Sequence, residues 1–184
     1  MNEWAATVSP AVNMKSIKNL AMAGVFSALC VVFLFVGSLF QTMDLSAAAI
    51  ASIVVLIAYI ELGKGWSLGV YAVSSILSLL LLPQKTAAAV FAFFVGFYPI
   101  LKVLINGIKP KWLSYVARIA CFNLFLTLLI YVSTELLGIK EDFLAFGYII
   151  YGLSNVVFVI FDIALERISV TYISTIRPKL FGRR

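Results

Sequence analysis

No histidine occurs anywhere in the 184 residues, and charged side chains make up only 12% of them. The first absence removes the HExxH zinc site and the imidazole base that a serine or cysteine nucleophile needs. Acids are scarce too, and no pair of aspartates falls in the middle of an apolar run. A Gly-rich phosphate loop is missing, so no nucleotide site is indicated. The two cysteines, Cys30 and Cys121, both lie within apolar runs, which gives neither a disulfide framework nor a metal site. The chain therefore reads as a protein that is not an enzyme and that carries no cofactor or metal.

What it has in excess is apolar surface. Hydrophobic residues account for 63% of the chain, against roughly 45–50% in a soluble domain. They fall in six runs: 19–40, 45–62, 66–82, 86–105, 113–137 and 143–165. A helix needs about 20 apolar residues to cross a hydrocarbon layer of about 30 Å. The breaks are short and carry helix-stopping residues, such as Gly63-Lys64-Gly65 and Pro83-Gln84-Lys85. Unpaired backbone groups in lipid are costly, so the spans are helices or a closed barrel, and barrel strands would alternate polar with apolar. These runs do not alternate. The expectation is an all-α integral membrane bundle of six transmembrane helices, multi-pass in a bacterial inner (cell) membrane.

Charge sets the orientation. With the amino terminus inside, 12 of the 14 basic residues fall on the inner side and only Lys85 and Lys140 on the outer; short Lys/Arg-rich loops stay cytoplasmic. Both termini are then cytoplasmic. The net charge of +6 reads as this bias plus contact with anionic lipid heads rather than as nucleic-acid binding. Residues 1–16 form an amino-terminal stub, 17–166 the six-helix domain and 167–184 a basic cytoplasmic tail.

Buried charges need partners at membrane depth. Arg118 is expected to pair with Asp162, which shares a helix face with Glu166. Glu61, beside Lys64 and with Lys102 at matching depth, is read as a second structural ion pair. A proton or cation relay would have to cross the membrane, and the outer halves of these helices offer only Glu135. Instead they carry neutral polar groups in register: Asn123, Thr127, Tyr131 and Thr134 on the fifth span, and Tyr148, Tyr151 and Asn155 on the sixth. Two such stripes, with Lys85 at the outer mouth alongside Gln41, Lys140, Glu141 and Asp142, are candidates for holding a small, partly apolar organic molecule. Interhelical hydrogen bonding is the competing reading of the same stripes. Pro99, preceded by Gly96, is expected to kink the fourth span.

In the first span Gly24 and Ala28 stand four residues apart, as do Ala23 and Ser27, spacing that lets helices approach closely. The basic prelude and the run from Lys18 to Leu29 (KNLAMAGVFSAL), six spans and both ends inside resemble the substrate-binding S component of an energy-coupling factor vitamin transporter. The resemblance implies that this small-residue strip docks onto a transmembrane T component driven by two ATP-binding subunits. It also implies that a small-molecule substrate enters from outside, among the outer halves of the later helices, and is released inward as the subunit topples. None of the ligand signatures of the thiamine, riboflavin, biotin or folate members is matched. The alternatives are a non-catalytic scaffold or assembly subunit without ligand, and a self-contained secondary transporter or channel that would need to dimerise.

Overall fold

The computed structural model describes residues 14–40, 43–107, 109–137 and 143–178 of the protein. Among them there is no strand. The helices are α1 (Met14–Ser38), α2 (Asp44–Leu62), α3 (Lys64–Leu81), α4 (Lys85–Val90), α5 (Tyr98–Asn106), α6 (Lys111–Leu137) and α7 (Phe143–Thr171). A π-helical turn, Phe91–Val95, joins α4 to α5, and a second, Tyr172–Ile176, continues α7. The protein is an all-α membrane bundle: α1, α2, α3, the broken helix Lys85–Asn106 and α6 each contain a stretch long and apolar enough to cross a membrane. The sixth expected span lies on α7. The amino-terminal stub up to residue 13 and the last six residues of the basic tail lie outside the described residues.

Helices α1, α2 and α3 pack most closely. One face of α1 is buried, running Ala23, Ser27, Cys30, Leu34 and Gly37 at helical spacing. It meets Ala47, Ala48 and Ala51 of α2, and the Cys30 thiol donates to the Ala51 carbonyl at 3.4 Å. On α3 the buried face is built from Ser67, Val70, Ser74 and Ser78. These serines donate to carbonyls of their own helix, Ser74 to Val70 at 2.6 Å and Ser78 to Ser75 at 3.0 Å. Their hydroxyls are thus satisfied locally, and the surface offered to the neighbouring helix is small and close-packing, as membrane helix contacts require. Gly63 makes the turn from α2 to α3 at φ 86°, where an L side chain would be strained.

The fourth span breaks where Gly96 and Pro99 stand. The Gly96 amide turns to the Phe91 carbonyl at 2.8 Å and the Phe97 amide to the Phe94 carbonyl at 3.1 Å. The Ala92 carbonyl thereby loses both amides that could reach it along the helix. The Tyr71 hydroxyl of α3 donates to it at 2.5 Å. This answers the requirement that a backbone group freed at membrane depth find a partner in the protein. Past the break, α5 begins with Tyr98 and Pro99 fully buried, and its face is aimed at α6 and α7.

Candidate functional site

Two polar centres lie where α5, α6 and α7 meet. The upper one is the pair of stripes. Asn123 and Asn155 face each other and exchange reciprocal amide hydrogen bonds, each Nδ2 donating to the other's Oδ1 at 3.0 Å. Each Nδ2 also donates to its own helix, Asn123 to the Ile119 carbonyl at 2.9 Å and Asn155 to the Tyr151 carbonyl at 2.8 Å. One turn further along, the Thr127 hydroxyl donates to the Asn123 carbonyl at 2.8 Å, and its oxygen lies 2.9 Å from the Tyr151 hydroxyl. Since the Thr127 proton is already given away, Tyr151 is the donor in that contact. The result is a continuous ladder between α6 and α7.

Beside the ladder, Asn123, Leu124, Thr127, Leu128 and Tyr131 line an open groove of about 540 Å³. Below it sits an aromatic block. Phe122 and Phe158 stack at 4.4 Å with their planes 6° apart, and Phe94, from the π turn, lies 5.3 Å from Phe122 and 5.7 Å from Phe158. The bulge in the fourth span is what brings Phe94 and Tyr98 into this block.

The lower centre is ionic. Asp162, 6% exposed, is bound from three sides. Arg118 Nη1 lies 2.7 Å from Oδ2, Lys102 Nζ lies 2.8 Å from Oδ1, and the Tyr98 hydroxyl donates to Oδ1 as well. Lys102 also donates to the Asp162 carbonyl at 2.6 Å and lies 3.5 Å from Glu166. The Arg118 guanidinium sits 4.3 Å above the Tyr115 ring. Two buried cations thus converge on one buried carboxylate, and the half-exposed Glu166 supplies the second negative charge. Arrangements of this kind need further hydrogen bonds around the charges, and here Nε of Arg118 goes to the Ser114 carbonyl at 3.3 Å.

The expected Arg118–Asp162 pair is present. The grouping of Lys102 with Glu61 is corrected: Lys102 belongs to Asp162. Glu61 instead takes Arg177, at 3.3 Å, and the Tyr172 hydroxyl, also at 3.3 Å. Both come from the segment that continues α7, Tyr172 in the π turn and Arg177 just after it. Burial and the neighbouring Glu61 carboxylate push the Tyr172 phenol above its ordinary range, which keeps it a donor.

The other expected site residues fall as follows. Tyr151 joins the ladder and Tyr131 the groove. Tyr148 lies on α7, but its side chain is outside those described. Lys85 sits at the α3–α4 connection, where its ammonium donates to the Leu79 and Leu82 carbonyls at 2.7 Å each, capping α3. The small-residue strip of α1 divides in two. Ala23 and Ser27 are buried in the bundle, and Gly24 and Ala28 are exposed, with no atom within 4 Å of the position a Gly24 side chain would take.

Sequence reading passes over one motif. Gly65-Trp66-Ser67-Leu68-Gly69 has the spacing of a hydrolase nucleophile elbow, but it lies inside α3 rather than on a strand-to-helix turn. Ser67 is buried and donates to the Lys64 carbonyl at 3.0 Å, and the chain has no imidazole to activate it. Among the described residues no group of three His, Cys, Asp or Glu side chains comes together that could hold a metal ion. Comparison with family models, curated proteins and solved structures yields no match.

Proposed function

We propose that the protein is a non-catalytic, multi-pass subunit of a bacterial cell membrane, with both termini cytoplasmic, that captures a small organic nutrient for import. Energy comes from a partner, a transmembrane T component with two ATP-binding subunits, as in the transporters whose S component the sequence resembles. The observation that supports this reading is the polar ladder of Asn123, Thr127, Tyr151 and Asn155 beside an open groove of about 540 Å³. Polar groups inside a membrane helix are costly unless they have a task or a partner. Gly24 and Ala28 give the partner a flat place to approach, since the bundle does not use them.

A second reading, a scaffold without ligand, is favoured by the completeness of the ladder, in which the amides and hydroxyls satisfy one another. An empty capture site in lipid must do the same, because its donors have no water to turn to. The two readings part on a binding experiment. Replacing Gly24 and Ala28 with Leu is expected to abolish co-purification of the partner while leaving bound small molecule unchanged. Asn155→Leu is expected to do the converse. If Asn155→Leu only lowers thermal stability, with no bound molecule lost, the scaffold reading replaces the capture reading.

A further inference from the structure

The groove restricts what it can hold. Its lining runs from Asn123 to Tyr131, one face of α6. Leu124 is 65% exposed, Leu128 41% and Tyr131 63%. At about 1.5 Å per residue, Asn123 stands about 18 Å from the start of α6 at Lys111, near mid-membrane. Surface exposed at that depth meets acyl chains rather than water. The groove therefore opens sideways into lipid.

Apart from the Tyr131 phenol, the chemistry of its lining is one-sided. No lining residue is charged. Both donor hydrogens of the Asn123 amide are used, on Ile119 and Asn155, and the Thr127 hydrogen goes to the Asn123 carbonyl. Asn155 likewise spends both of its donors, on Asn123 and Tyr151. What remains on these groups is acceptor capacity. An amide oxygen accepts through two lone pairs and a hydroxyl oxygen through two, and each Asn Oδ1 here takes a single bond within the ladder. Among the described residues, an anionic head would find neither a cation nor a free N–H in the groove lining to meet it. The nearby cations, Lys102 and Arg118, are committed to Asp162 below the aromatic block. A buried charge without a partner is strongly disfavoured.

We infer that the molecule captured is an uncharged amphiphile, largely apolar and bearing a hydroxyl or N–H donor, which enters laterally from the bilayer and gives its hydrogen to the Asn123–Thr127 edge. This inference rests on the capture reading and narrows it to one substrate class, to the exclusion of carboxylate- and phosphate-bearing nutrients.

The test uses the full chain in lipid nanodiscs, at a pH high enough to keep a bilayer-bound carboxyl ionised, with two probes of equal chain length, each carrying a mid-chain diazirine: a long-chain alcohol and the corresponding fatty acid. After photolysis, labelled peptides are read by mass spectrometry. The alcohol is expected to label residues 123–131 saturably and roughly tenfold more tightly than the acid, the worth of about one good hydrogen bond. Thr127→Val, which removes the acceptor and keeps the shape, is expected to erase most of that preference. Leu124→Trp, which fills the groove from its lipid side without touching the ladder, is expected to block labelling by the alcohol. Equal or stronger labelling by the acid overturns the inference, as does labelling that fails to saturate or ignores both variants. If neither probe labels and a water-soluble compound is retained by the purified protein, the substrate class is wrong and the capture reading stands. If neither probe labels and nothing is retained, both fall.

Discussion

Asp162→Asn is expected to destabilise the bundle by about 3–5 kcal/mol, the cost of breaking a buried ion pair from one side. The substitution keeps the shape and an acceptor for the Tyr98 hydroxyl, but it strands Lys102 and Arg118, whose side chains are 8% and 5% exposed. Glu166 cannot take over both. It lies 3.5 Å from Lys102, and its side chain is 57% exposed, so solvent weakens what it offers. Phe158, packed against Tyr98 at 5.1 Å, provides no polar substitute. Reversible unfolding in mild detergent, followed by circular dichroism, measures the loss. The triple variant Asp162→Leu, Lys102→Met, Arg118→Leu is expected to recover most of it, because removing all three charges removes the desolvation penalty along with the attraction. A loss below about 1 kcal/mol for the single variant, the range of exposed pairs, would mean that the cluster is wet and does not tie α5, α6 and α7 together.

The second large effect falls on α1. A side chain at Gly37 would place its Cβ 2.1 Å from Cβ of Ala47 and 3.6 Å from its Cα. The obstruction is backbone-proximal and cannot swing aside, so Gly37→Ala must push α1 off α2. The packing of Cys30 and Leu34 along the same face then loosens, as does the Cys30 bond to the Ala51 carbonyl. A cost of about 1–3 kcal/mol is expected, as for overpacking in a tight core. Gly24→Ala is the matched control. It meets no atom within 4 Å and replaces a poor helix former inside a helix, so a gain of about 0.5–1 kcal/mol is expected. Equal effects of the two substitutions, measured side by side, would mean that Gly37 is packed no more tightly than Gly24, and reversed effects that the buried and open faces of α1 have been exchanged.

These two positions also mark what the sequence discloses. The spans were legible because hydrocarbon thickness and the 1.5 Å rise leave little freedom in helix length, and each expected run coincides with a helix, or for the fourth with the broken helix Lys85–Asn106, apart from residues 39–40 and 82, which lie just past the ends of α1 and α3. Depth made the Arg118–Asp162 pair legible as well. It could not choose between Asp162 and Glu61 for Lys102. That choice depends on the rotation of α5, and the π turn at Phe91–Val95 re-phases α5 against α4 by about one residue. Faces projected straight through Pro99 therefore come out wrong. The α1 strip shows the same limit, since Ala23/Ser27 and Gly24/Ala28 share one spacing and only packing separates the inner pair from the outer. Gly37, where α1 meets Ala47 of α2, gives no sign of itself in sequence because a crossing point is set by two helices at once.

The polar stripes were visible from their three- and four-residue spacing. Their axial match, Asn123 to Asn155 and Thr127 to Tyr151, was not, because it depends on how far α7 is shifted along α6. Gln41, Lys140, Glu141 and Asp142, expected at the outer mouth, lie outside the described residues.

The central claim, a membrane capture subunit that works with an energised partner, is tested most directly by purifying the tagged protein from its native membrane in mild detergent. Everything that accompanies it, protein and small molecule alike, is then identified by mass spectrometry. A second integral membrane protein, two ATP-binding subunits and a bound organic molecule are expected. Recovery of the protein by itself, or with an unrelated complex and no small molecule, would contradict it and leave the Asn123–Asn155 ladder as helix packing alone.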